Sequence, residues 1–275
     1  MALVAWTGQA ATASPAGALR LPMLTWGQVS YDRGNFREGV VTQVYAMQGI
    51  ELGLTSWGYV GVNAALQFKD SDLDAEIWNN SFELRGGAGV RLLPPVEDVW
   101  PGAWADLWIG IRYEHLWYTT ADGATAPRTA IALEGALGLD WRSESSAPSA
   151  PHQMPLLLLF DLAEAEGKRE EGLLFQGRVD QLFGLIDHPL LRFGPLLGVA
   201  WKQSDRRLEH WNNLVDLRVG LRLWMDASVA QQIYGTFFFE VRMHARLYTS
   251  VDRPVTWRAL AFAGWTVGGA LGDRP

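Results

Sequence analysis

Glu83 with Arg85, Asp216 with Arg218, and Glu240 with Arg242 each place opposite charges two residues apart. In an extended chain, residues i and i+2 share one face. Each pair therefore sets an acid beside a base on one side of a strand. Other charges follow the same parity in their own segments. The arginines are Arg85, Arg91, Arg112, Arg178, Arg218, Arg222, Arg242 and Arg246. The acids are Glu83, Asp106, Glu114, Glu134, Asp161, Asp180, Asp216 and Glu240, and His244 lies among them. Such a set can rigidify a wall by mutual pairing or line a polar path. Hydrolytic chemistry has thinner material. Ser204, Asp205 and His210 are close in sequence and could supply a nucleophile and base. His152 and His188 fall in links and read as solvated. The run Lys69-Asp70-Ser71-Asp72-Leu73-Asp74 is acidic, but it lacks the glycine and terminal glutamate of a helix-loop-helix calcium site. With no cysteine, disulfides, thiolate metal sites and cysteine nucleophiles are excluded. No metal and no cofactor are expected. With 30 acidic against 23 basic residues and a net charge of −7, the basic excess of a nucleic-acid binder is missing.

The elements that must carry these charges are strands. From Ile233 to Leu247 the odd positions include Phe237, Phe239, Val241, Met243 and Leu247, and the even ones Glu240, Arg242, His244 and Arg246. The period is two, as a strand requires. Val215, Leu217, Val219, Leu221 and Leu223 alternate with Asp216, Arg218 and Arg222 in the same way, as Ile109 and Ile111 do with Arg112 and Glu114. Six such segments are predicted at roughly 21–31, 37–48, 57–69, 79–92, 104–118 and 128–141. Six more are predicted at roughly 155–163, 170–182, 190–202, 212–225, 232–248 and 256–267. Turn signals separate them at Asp32-Arg33-Gly34-Asn35, Pro94-Pro95 and Asp122-Gly123, and a Ser/Pro-rich link runs over 143–155.

The two sets of six repeat one another. Laying 34–85 on 167–218 matches Gln43 with Gln176, Gly61 with Gly194, Lys69 with Lys202 and Trp78-Asn79-Asn80 with Trp211-Asn212-Asn213. It also matches Leu84-Arg85 with Leu217-Arg218. Further on, Arg91 falls on Arg222, Arg112 on Arg242, and Tyr118-Thr119 on Tyr248-Thr249. Ile77 stands where the second copy has His210, which weakens a triad there. Repeat one covers about 20–142 and repeat two about 154–268, both inside one domain of 14–275. The first thirteen residues, MALVAWTGQAATA, read either as the end of a secretory signal or as an unstructured arm.

Alternation alone leaves two arrangements open. A soluble sandwich turns its apolar face to a core; a spanning barrel turns it to lipid. The segments favour lipid because most exceed the five or six residues of a soluble strand and reach the 9–11 or so that cross a bilayer. Aromatics gather near their ends, at Trp57, Trp78, Trp104, Trp117, Tyr118 and Trp141, and at Trp201, Trp211, Trp224, Tyr234, Tyr248 and Trp257. Two interfacial girdles would place them so. The fold expected is all-β: a twelve-stranded antiparallel up-and-down transmembrane β-barrel made of two tandem six-stranded repeats. Closure would remove both sticky edges.

That pattern resembles bacterial outer-membrane β-barrels as a class. Trp78-Asn79-Asn80 through Gly89-Val90-Arg91-Leu92, with Trp211-Asn212-Asn213 through Gly220-Leu221-Arg222-Leu223, further resembles barrel regions of envelope proteins tied to surface-polymer export or phage adsorption. The resemblance implies an outer-membrane location, a lipid-bilayer partner, periplasmic termini, and outward-facing loops at 70–77, 119–127, 203–210 and 249–255. The lumen charge ladder, with no catalytic set in the sequence, points to a narrow pore or a scaffold of the cell envelope and to no enzyme, and the resemblance links it to polysaccharide-export or other envelope proteins. An outer-membrane lipid hydrolase, of phospholipase or lipid A deacylase type, and a soluble β-sheet binding protein are the competing readings.

Overall fold

In the computed structural model, the described residues are 16–34, 38–72, 80–100, 103–120, 125–141, 154–167, 172–188, 191–205, 213–230 and 233–271. They form one antiparallel sheet. Its first six strands are β1 (Leu19–Gly34), β2 (Glu38–Gly53), β3 (Gly58–Ser71), β4 (Ser81–Leu92), β5 (Ala103–Tyr118) and β6 (Thr125–Trp141). The rest are β7 (Met154–Gly167), β8 (Gly172–Leu182), β9 (Ile186–His188), β10 (Leu191–Ser204), β11 (Leu214–Ala230), β12 (Ile233–Tyr248) and β13 (Thr256–Leu271). Apart from β9, every strand pairs with a neighbour on both sides. The order runs β1 through β8, then β10 to β13, and β13 pairs back onto β1. The seam is long: fourteen residue pairs run from Leu21 opposite Leu271 to Gly34 opposite Arg258. The ring of ladders leaves no wall strand with an unpaired side.

The extra strand has a local cause. Leu182 of β8 lies opposite Leu196, whereas Ile186 of β9 lies opposite Phe193, so the register slips by one residue between them. Phe183 N–H to Pro195 O (3.0 Å) and Leu185 N–H to Phe193 O (2.9 Å) bridge the slip. β9 is thus the resumption of β8 past a bulge. Gly194 permits it, since a Cβ there would stand 1.5 Å from the Phe183 carbonyl oxygen. The matching Gly61 is as constrained, with the Ile50 carbonyl 2.3 Å from the site of a Cβ.

Strand lengths agree with the alternation. The twelve wall strands have 11 to 17 residues, enough to cross a bilayer at a steep tilt. Two pairs of corresponding strands match in length, β3 and β10 with 14 residues each and β5 and β12 with 16 each, whereas β2 has 16 against 11 in β8 and β4 has 12 against 17 in β11.

The apolar face lies outside. On β12, Phe239 is 51% exposed and Val241 49%, while their neighbour Glu240 is 3% exposed. Ile109 and Ile111 on β5, and Leu217, Val219 and Leu221 on β11, are likewise exposed. An outward face of Phe, Val, Leu and Ile around a charged interior is stable only where the surroundings are apolar. Trp57 and Trp257, both near strand ends, are among the exposed aromatics, as a girdle requires. Trp224 does not belong to one. Its even parity places it with Asp216, Arg218 and Arg222 on the inward face, where it is buried against Leu182 and Leu196. Trp104 is also inward, lying over Gly138 on the neighbouring strand. Trp78, Trp211 and residues 143–153 of the Ser/Pro-rich link lie outside the described residues.

Candidate functional site: the charged lumen

The inward faces bring the sequence-predicted charges together, with others at strand ends. Near the start of β1, Arg20 contacts Glu51 at 3.2 Å, and Glu51 contacts Arg91 at 2.7 Å. Arg91 makes a two-pronged contact with Asp106, at 2.8 and 3.0 Å. This is the planar match of guanidinium to carboxylate that gives the strongest ion pairs. The Arg20 guanidinium lies 5.3 Å from the ring centroid of the fully buried Tyr59.

A second group centres on Glu114. Its carboxylate forms ion pairs with Arg112 at 2.7 Å, Arg85 at 3.7 Å and Arg128 at 2.5 Å. Arg85 also reaches Glu83 at 3.1 Å and Gln67 at 3.3 Å, and Arg112 contacts Glu134. The registers explain the meeting. Ala65, Arg85, Glu114 and Arg128 lie directly opposite one another across β3, β4, β5 and β6, and Arg112 sits two residues from Glu114 on its own strand.

The third group lines β8 and β10 to β13. Asp216 Oδ2 accepts Arg246 at 3.1 Å and lies 3.3 Å from His244 Nδ1. Glu240 contacts Arg242 at 3.0 Å and Arg222 at 4.0 Å. Arg178 contacts Asp180, and Arg258 contacts Asp32 across the seam. Arg242 and Arg222 also stack on Phe262 and Phe238, at 4.0 and 4.6 Å. Several arginines here, Arg178, Arg242 and Arg246 among them, leave a buried Nε without a hydrogen-bond partner among the described residues; Arg218 leaves both Nε and Nη1, and the Asp180 and Asp216 carboxylates each leave an Oδ1.

Five of these members, Arg20, Asp32, Glu51, Arg128 and Arg258, were missing from the sequence-derived set. Arg128 and Arg258 share the sequence offset that pairs Arg112 with Arg242, and that offset is the signal by which they could be found. Asp32 reads as a turn residue in sequence but lies within β1, 2% exposed. Asp161 is on β7, and its side chain lies outside the described set.

The Trp-Asn-Asn motif resolves into a joint. Asn80 Oδ1 accepts the Ser71 N–H at 2.9 Å, and its backbone carbonyl accepts the Thr119 N–H at 2.9 Å. Asn213 repeats this with Ser204 at 3.1 Å and Thr249 at 2.9 Å. Both asparagines are 1% exposed. Each ties the end of one strand to the hairpin beside it. Ser204 is buried under this joint; His210, Asn79 and Asn212 lie outside the described residues. His115 faces outward with Tyr113, which it meets at 2.9 Å, and stacks on Trp117. Among the described residues no group of three or more His, Asp or Glu could hold a metal ion.

A closed ring of long strands, greasy outside and charged within, has solved counterparts. The likeness is to outer-membrane β-barrels. The β domain of the Bordetella autotransporter BrkA is 15% identical with a TM-score of 0.46, covering 92% of this chain and 99% of that one. The translocator domain of the autotransporter NalP from Neisseria meningitidis is 10% identical with a TM-score of 0.45, covering 93% and 90%. An outer membrane channel from Pseudomonas putida F1 is 12% identical with a TM-score of 0.45, covering 95% and 100%. No family model and no curated protein matches the chain.

Proposed function

We propose that the chain is a bacterial outer-membrane β-barrel, built by duplication of a six-stranded unit, and that its charged lumen forms a narrow pore. The observation that carries this is the sidedness of the wall: exposed Phe239 and Val241 flank buried Glu240, and the same sorting recurs on β5 and β11. A soluble protein has no use for an outward apolar belt of that extent. Twelve strands give a bore between the filled eight-stranded barrels and the open porins. The near-complete burial of Glu83, Arg112 and Glu114 narrows it further. The role is passive transfer rather than catalysis, with surface polymer as the cargo suggested by the Trp-Asn-Asn resemblance.

Two measurements test the proposal. The folded chain should stay with the membrane fraction and shift on a gel when unheated. In a planar bilayer it should give small, discrete conductance steps. A chain that stays in solution without detergent refutes the membrane reading. A chain that inserts but conducts nothing above background refutes the pore and leaves a filled scaffold, which the same buried ion pairs favour.

A further inference from the structure

The two halves hold the same arginines around different centres. In the first half, Arg85, Arg112 and Arg128 converge on the carboxylate of Glu114. In the second half, the registers set Gly198, Arg218, His244 and Arg258 across four adjacent strands, with Arg242 two residues from His244. Position for position, Arg218, Arg242 and Arg258 correspond to Arg85, Arg112 and Arg128. His244 stands where Glu114 stands. The central acid is therefore replaced by a side chain that brings no negative charge.

The neighbouring acids only partly make up the loss. Arg258 is taken by Asp32, Arg242 by Glu240, and Arg178 by Asp180. Asp216 directs one oxygen to both His244 and Arg246. Among the residues of β8, β11 and β12 whose side chains are described, five arginines (178, 218, 222, 242, 246) stand against Asp180, Asp216 and Glu240. Arg218 is the member left over. Its buried Nε and Nη1 have no hydrogen-bond partner, its electrostatic neighbours include Arg178 and Arg242 as well as Asp180 and Asp216, and one oxygen of each of those two acids is likewise without a hydrogen bond, so the acids stand near Arg218 without engaging it. Buried like charges held close need a counter-charge, and a guanidinium offers planar, paired N–H donors to an oxyanion.

We propose that the lumen wall of the second half binds an oxyanion, a phosphate or carboxylate group, between Arg218 and Arg242, beside the His244 ring that stands in place of the Glu114 carboxylate. The site deepens the pore reading, because it gives the path a stopping place for anionic solutes. It depends on the inward placement of these arginines and not on conduction.

The test uses the full chain folded in detergent micelles, at fixed pH and ionic strength, with chloride replaced stepwise by inorganic phosphate or, separately, by succinate. The readout is the midpoint of thermal unfolding. The wild type should show a saturable rise with at least one of the two, phosphate marking a tetrahedral oxyanion and succinate a carboxylate. Arg218→Met should weaken the response at least about tenfold, since a charge-assisted hydrogen bond is lost. His244→Glu installs the acid of the other half. It should raise the midpoint without added anion and abolish the response. A wild type that responds to neither anion, or a His244→Glu chain that responds as the wild type does, overturns the proposal. A chain that responds but carries no current sinks only the pore.

Discussion

Placing an arginine on the outer wall separates lipid from water more sharply than any other change. Val241 is the ninth of the 16 residues of β12, near the middle of the strand, and is half exposed. If the outer wall faces water, Val241→Arg exchanges an exposed apolar side chain for a charged one and should change stability by no more than about 0.5 kcal/mol. If it faces hydrocarbon, an arginine at the bilayer midplane costs about 2–4 kcal/mol, falling to about 0–1 near the interface. Leu247, one residue from the end of β12 and also exposed, supplies the interfacial control. The barrel would be folded into short-chain lipid vesicles and titrated with guanidinium, following tryptophan fluorescence. Val241→Arg should move the midpoint by the equivalent of about 2–4 kcal/mol, and Leu247→Arg by about 1 kcal/mol or less. Equal, small effects at both positions would refute the membrane-facing wall, and with it the functional reading.

Other outcomes follow from the interior. Glu114→Gln leaves Arg85, Arg112 and Arg128 around a neutral centre and should cost about 3–5 kcal/mol in the same titration. Asn80→Ala and Asn213→Ala each orphan a strand-end N–H, at about 1–3 kcal/mol apiece. Their joints share no residue, so the double variant should lose the sum of the two. Gly27→Leu should displace the Trp265 indole, whose ring atoms lie 2.2 Å from where a Cβ would stand, and should alter the tryptophan emission of the folded barrel.

Period-two alternation made the wall legible, because on a strand one parity of residues has a single fate. Phe237 and Phe239 went outward, and Glu240 and His244 inward, as their spacing required. The sequence offset that lays Trp78 on Trp211 also lays Arg85 on Arg218, which made the two legible as proposed counterparts. What the sequence concealed lay at strand ends. Alternation fades there, and turn-forming residues imitate loops. Arg20 falls before the predicted first segment and Glu51 after the second, yet the strands run from Leu19 and to Gly53. Asp32 sits next to Arg33 and Gly34, a turn-like string that β1 instead continues through. Trp224 looked interfacial by nearness to a segment end. Because β11 runs on to Ala230, that end was misjudged, and its parity sends the ring inward. The exchange of Glu114 for His244 was visible as two letters. Its meaning needed the registers that set each beside its arginines.

The ladder between β1 and β13 has a consequence for biogenesis. Asp32 and Arg258 are 226 positions apart along the polypeptide, and they meet only when the last hairpin reaches the first. Until then, β1 has one side of its backbone unmet and Asp32 lacks its cation. In a hydrocarbon medium neither state is tolerable, so partial cylinders have no resting place in the bilayer. Insertion must finish as one concerted event, or the nascent wall must be shielded from lipid until its two ends join.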